Sequence, residues 1–140
     1  MRIVADTNIL VSAFISKGNE FNILEVAGEG RIKIVLSKEL FEEFKGVIRR
    51  EKFGFSFEKA EELIKQVSAL AEIISSSEKL DIIKEDSDDN KVLESAVDGK
   101  AHYIVTGDEH LLKLKNYQNI KIINSKEFLD LFNKIKTKNT

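Results

Sequence analysis

RIVADTN, residues 2–8, reads as a short strand that ends on an acid. The run RIVA is almost continuously apolar, as a strand covered on both faces should be. Asp6 then stops it, with Thr7 and Asn8 behind. Two further runs share this character, IKIVL at 32–36 and HYIVT at 102–106, and a fourth β-rich run, IKIIN, lies at 120–124. Helical spacings lie between them. Leu40, Phe41, Phe44, Val47 and Ile48 form one apolar face, and Phe57, Ala60, Leu63, Ile64, Val67, Leu70, Ala71 and Ile74 form another. Strands alternating with helices predict βαβ units, a parallel sheet and a three-layer α/β/α architecture. No repeat or low-complexity tract divides the chain, so residues 1–140 are expected to form one domain. With no proline anywhere, turns and helix starts must rely on Gly, Asn, Asp and Ser.

Composition narrows the function. The chain has 140 residues, of which 42% are hydrophobic and 33% charged, enough to bury a core in one globular domain. The absence of cysteine excludes disulfides, zinc–thiolate sites and thiol catalysis. No apolar run is long enough to cross a bilayer and no signal pattern is visible, so no membrane association is expected and the expected compartment is the cytoplasm. The net charge of −2 argues against bulk attraction to nucleic acid, but its distribution is uneven. Acids dominate from Glu72 to Asp98, whereas from Lys113 to Lys138 seven lysines face only Glu127 and Asp130. A local basic surface beside an acidic site is compatible with that pattern, as is an ordinary solvated face.

Ligands of open α/β sheets bind beyond the carboxyl ends of the strands. Asp6 follows the first strand there, and the third runs into TGD, ending at Asp108. The stretch KEDSDDNKVLESA, residues 84–96, adds Asp86, Asp88 and Asp89 ahead of an amphipathic helix. At about 100° per residue, Val92, Leu93, Ala96 and Val97 make one stripe with Asp89 near its centre. Asp88 falls to the side, where it or Ser87 can cap the helix. In the helix after Ser37, Glu43 sits at the edge of the buried face, while Glu39 and Glu42 point away from it.

Asp6, Glu43, Asp89 and Asp108 thus come from four segments and can converge at one sheet edge. Carboxylates gathered without matching arginines imply a hard divalent cation, most simply Mg²⁺ or Mn²⁺. An EF-hand does not fit, because Lys91 stands where glycine belongs and Val97 where the bidentate Glu belongs. Three of these acids also have a plain structural explanation, Asp6 and Asp108 as helix caps and Glu43 as a boundary residue, whereas Asp89 has none. Thr7, Asn8, Asn90 and Thr106 offer neutral polar groups beside the acids. Neither His102 nor His110 requires a catalytic role.

In four ordered blocks the sequence resembles the PIN domain family. VADTNILVSAF looks like its first strand and helix, with Asp6 as the first acid and Asn8 as its neighbour. LSKELFEEFKGVI is similar to the second block, where Ser37 marks the acid six residues on, at Glu43. DSDDNKVLESA matches the third, with the acid at Asp89 beside Asp88, and YIVTGDEHLL the fourth, with Thr106 and Asp108. IINSKEFLDLF resembles the last strand and helix.

The resemblance implies a parallel sheet of about five strands and Mg²⁺ or Mn²⁺ held by Asp6, Glu43, Asp89 and Asp108. It also implies hydrolysis of single-stranded RNA. Compact members resemble the toxins of VapBC-type toxin–antitoxin pairs, homodimers inhibited by a small protein partner. Arg49, Arg50 and Lys52, on and beyond the helix carrying Glu43, are candidates for RNA backbone contacts, or else a solvated helix end. A housekeeping RNA-processing nuclease and a non-catalytic RNA- or protein-binding scaffold are the alternatives. Haloacid-dehalogenase and response-regulator patterns fit poorly, since Asn8 occupies the place of the second Asp of the former. Nothing in the sequence marks a reader of the 2′-hydroxyl that separates RNA from DNA.

Overall fold

The computed structural model describes residues 1–75 and 87–138. Strand β1 (Arg2–Ala5) lies between β2 (Lys33–Ser37) and β4 (Tyr103–Val105) and runs parallel to both. Strand β3 (Ala71–Ile74) extends the sheet beyond β2, and β6 (Ile120–Ile123) beyond β4, again in parallel. The two-residue β5 (Asn116–Tyr117) pairs antiparallel with β6, giving the order β3-β2-β1-β4-β6-β5. Five parallel strands match the expected sheet, and β5 adds a short antiparallel edge. The chain builds outward from β1 to β3, then returns to the other side of β1 at β4. That reversal places a topological switch point, the usual ligand crevice of such sheets, beyond the carboxyl ends of β1 and β4.

Successive strand side chains face opposite sides of a sheet. Ile3, Val4 and Ala5, Ile34, Val35 and Leu36, and Ile104 and Val105 are all buried, so helices cover both faces. Helix α5 (Ser87–Asp98) packs over β1, β2 and β4 with Val92, Leu93 and Ala96 inward. Helix α1 (Thr7–Ile15) packs against α2 (Asn19–Gly28) and α3 (Lys38–Ile48), and α2 also meets α4 (Phe57–Leu70) and α7 (Ser125–Lys138). A short α6 (Glu109–Leu114) packs on β6. Among the described residues no helix is long and apolar enough to cross a membrane.

Helix starts use the residues the proline-free sequence makes available. Ser37 caps α3 by accepting from Leu40 N–H at 3.1 Å, and Ser56 caps α4 by accepting from Lys59 N–H at 3.0 Å. Asn124 and Glu127 form a reciprocal capping box at α7, with bonds of 2.8 and 3.2 Å. One element departs from the sequence reading. The helical pattern over 57–74 stops at Leu70, and Ala71–Ile74 becomes β3, paired with β2 from Ala71↔Ile34 onward. Val67, Ala71 and Ile74 keep helical spacing across the junction, so the periodicity cannot see the break; pairing to β2 decides it. Strand β5 was also outside that reading. It rests on a turn in which Gln118 and Asn119 have φ of 48° and 68°, a two-residue hairpin geometry.

Candidate functional site

Asp6 occupies the first position after β1 and caps α1. Its Oδ1 accepts from Ile9 N–H at 3.0 Å, and its Oδ2 accepts from the Thr106 hydroxyl. Only 7% of the residue is exposed. Burial pushes the Asp6 carboxyl above its ordinary range, and the negative charge of Asp108 adds to the rise. The hydrogen bonds from Thr106, Ile9 and Asn8 oppose that shift without cancelling it.

Thr106 joins two acids. Fully buried just beyond β4, it donates to Asp6 and accepts from Asp108 N–H at 3.0 Å. Asp108 in turn caps α6, its Oδ1 accepting from His110 and Leu111 N–H at 2.8 and 3.2 Å. Asp6 and Asp108 are therefore caps, as the plain reading held, and they are also neighbours across the switch point.

Asp89 comes from the first turn of α5 and is 6% exposed, as its place on the apolar stripe requires. Its Oδ2 lies 3.8 Å from His110 Nδ1, and Asp108 Oδ1 lies 4.0 Å from the same nitrogen. Asp89, Asp108 and His110 each present a ligand atom within 4.8 Å of the others. Two carboxylates and an imidazole at that spacing are suited to a first-row divalent ion. The sequence reading passed over His110. Its signal was its place two residues after the capping Asp108, in the first turn of a helix that starts at the switch point.

Glu43 is not one of these three residues. It is half-buried on α3 and lines the groove between α3 and α5 with Glu39, Glu42, Lys38 and Lys91. Among its neighbours, Glu42 pairs with Lys45 at 2.6 Å. Thr7 is buried, and Asn8 is exposed in the first turn of α1 with its backbone N–H toward Asp6. Asn90 is buried beside Asp89. Ser37 is buried as the α3 cap at the carboxyl end of β2.

The predicted basic contacts lie at and beyond the carboxyl end of α3. Helix α3 runs eleven residues from its Ser37 cap, about 16 Å, and Arg49 and Arg50 follow its last turn. Arg49 is engaged there with Glu61 of α4 at 2.8 Å. Lys52 follows in a short 3₁₀ turn, its ammonium 5.1 Å from the Phe53 ring centre. Asp86 and the Asp88 side chain lie outside the described residues. A cavity of about 670 Å³ opens at the amino-terminal edge of the sheet, between His102, Tyr103, Lys100 and Lys121; no acid lines it among the described residues.

A sequence model of the PIN domain matches residues 2–110. No curated protein matches the sequence. Among solved structures, the chain is similar to one in "Crystal structure of VapBC2 from Rickettsia felis bound to a DNA fragment from their promoter", with a TM-score of 0.62 and 21% identity. That similarity covers 89% of this chain and 98% of the other, and at such identity it speaks for a shared fold.

Proposed function

Because the chain belongs to the PIN domain family, we propose that it is a divalent-metal-dependent endoribonuclease that cuts single-stranded RNA, working as the toxin of a type II toxin–antitoxin pair. The observation that carries the nuclease reading is the meeting of Asp89, Asp108 and His110 within 4.8 Å, tied to Asp6 through the Thr106 hydroxyl, at the switch point of the sheet. The donor set fits Mg²⁺ or Mn²⁺: carboxylates dominate it, and Asp6 carries a carboxyl that burial disfavours as an anion.

Asp89 and Asp108 are the residues that would hold the cation, with Asp6 behind them. Glu43 would serve from the α3–α5 groove, directly or through water. When bound, the cation supplies Lewis-acid polarisation of the phosphate and a water acidified toward neutral pH. The chain's own part is positional. Thr106 fixes the Asp6 carboxylate against the Asp108 backbone, and the caps of α1 and α6 fix one oxygen of each acid. Bare carboxylates would repel an RNA phosphate, so substrate binding depends on the cation reversing the local field.

The toxin reading is supported by the fold shared with the Rickettsia felis VapBC2 structure. It carries with it a small antitoxin partner, a homodimer and a cytoplasmic location. The test is cleavage of labelled single-stranded RNA with Mn²⁺, Mg²⁺ or EDTA, using wild type and Asp89→Asn. Metal-dependent cutting lost in the variant is the expected result. No cutting on varied RNAs, with no metal bound, would leave the scaffold alternative. Growth arrest on induction, relieved by a co-expressed neighbouring small protein, would separate a toxin from a housekeeping nuclease.

A further inference from the structure

We propose that His110 is a nitrogen ligand of the cation site and makes the site select Mn²⁺ over Mg²⁺. The inference rests on the metal-dependent reading above and goes beyond it by naming a donor outside the four acids. His110 is half-exposed, with open solvent available to its ring, yet its Nδ1 lies between two carboxylates, 3.8 Å from Asp89 Oδ2 and 4.0 Å from Asp108 Oδ1. Both separations exceed hydrogen-bond reach, so the ring is not held there by a direct bond to either oxygen. The backbone does hold it: His110 N–H donates to Asp108 Oδ1 at 2.8 Å, which sets the residue at the mouth of the acid group.

An imidazole changes the selectivity of a carboxylate site. Mg²⁺ takes oxygen ligands and keeps its waters, whereas nitrogen donors favour first-row transition ions. Ionic attraction alone would place His110 here as an imidazolium that needs no metal, and that alternative makes a different prediction. An imidazolium competes with a cation, so removing it would tighten metal binding; a ligand would be missed.

The experiment uses metal-free full-length protein titrated with Mn²⁺, following loss of the free-ion electron paramagnetic resonance signal, with Mg²⁺ measured by competition. Pulsed resonance on the bound Mn²⁺ then detects coupling to a directly ligated ¹⁴N. The chain has only two histidines, so His110→Ala and His110→Gln assign the coupling against His102. The expected result is ¹⁴N coupling in the wild type, its loss in both variants, Mn²⁺ binding weakened about tenfold or more, and Mg²⁺ binding little changed. Bound Mn²⁺ without nitrogen coupling, coupling that persists in the variants, or tighter Mn²⁺ binding in them would each overturn the assignment while leaving the nuclease reading intact. Failure of the wild type to bind Mn²⁺ at all would overturn both.

Discussion

Replacing Asp6 by Asn removes a charge and keeps a cap. Asn serves the N-cap position about as well as Asp, so the bond from Ile9 N–H, 3.0 Å in the wild type, is retained. The amide oxygen that caps leaves its NH₂ facing Thr106, whose hydroxyl then loses its acceptor on Asp6. That costs about 1 kcal/mol at every pH. The charge has a pH signature that the hydrogen bond lacks. Burial raises the Asp6 carboxyl above its ordinary value of 3.8, so above that pH the folded protein retains a proton that the unfolded chain has released. Wild-type stability falls as pH rises from there to the raised value, by at most about 1.4 kcal/mol per pH unit for one proton. The variant has no such loss. Its stability relative to wild type therefore starts about 1 kcal/mol unfavourable near pH 4 and climbs as pH rises through the window.

Urea unfolding of the chelated proteins between pH 4 and 8 reads this difference, and carboxylates common to both chains largely cancel. Saturating Mn²⁺ should then stabilise the wild type by about 2.7 kcal/mol at a hundred times its dissociation constant, and the variant by less. A difference curve that stays flat over the whole range would refute the claim that Asp6 is a desolvated carboxylate.

The other expectations are structural. Thr106→Val removes the donor to Asp6 and the acceptor for Asp108 N–H, and should cost about 2–3 kcal/mol in urea unfolding, while Thr106→Ser restores most of it. Gly99→Ala should cost about 2–3 kcal/mol, because its Cβ would lie 2.5 Å from Val35 Cγ1 and 2.8 Å from the Ser95 carbonyl, neither of which can yield easily. Lys100→Gly should gain about 0.5–1 kcal/mol in thermal unfolding, since Lys100 holds φ of 55° at the end of α5, where glycine is favoured.

The strands that the sequence showed clearly are those with both faces covered. Ile3, Val4, Ile34, Val35, Leu36, Ile104 and Val105 are apolar because no position in them meets water, and a continuous run carries that signal alone. Strand β3 is an edge strand of four residues whose apolar positions happen to continue the helical spacing of α4, so only the partner β2 distinguishes the two periods. Asp89 was legible for the same reason as the core, since a carboxylate centred on an apolar stripe is buried wherever the helix packs. Arg49 was not legible as an α3–α4 tie, because its partner Glu61 lies on a helix whose placement the local pattern does not determine. His110 was missed because it is exposed, and its meaning depends on Asp89 arriving from α5.

The cap reading and the site reading of Asp6 and Asp108 turn out to describe the same bonds. In both residues Oδ1 accepts from the first turn of the following helix, and a carboxylate so used is fixed in position rather than spent. The strand ends set where α1 and α6 begin, the helix starts set where the two carboxyls stand, and Thr106 locks one to the backbone of the other. What capping leaves unresolved is charge. Two helix N-termini attract anions with partial charges that fade within a turn, which is too little to offset burial at Asp6, whose carboxyl remains raised despite three hydrogen bonds. The fold thus holds its acids in a geometry that helix formation explains and at an electrostatic cost that helix formation does not. A cation beside Asp89 and Asp108 is the one proposed element that would offset that cost.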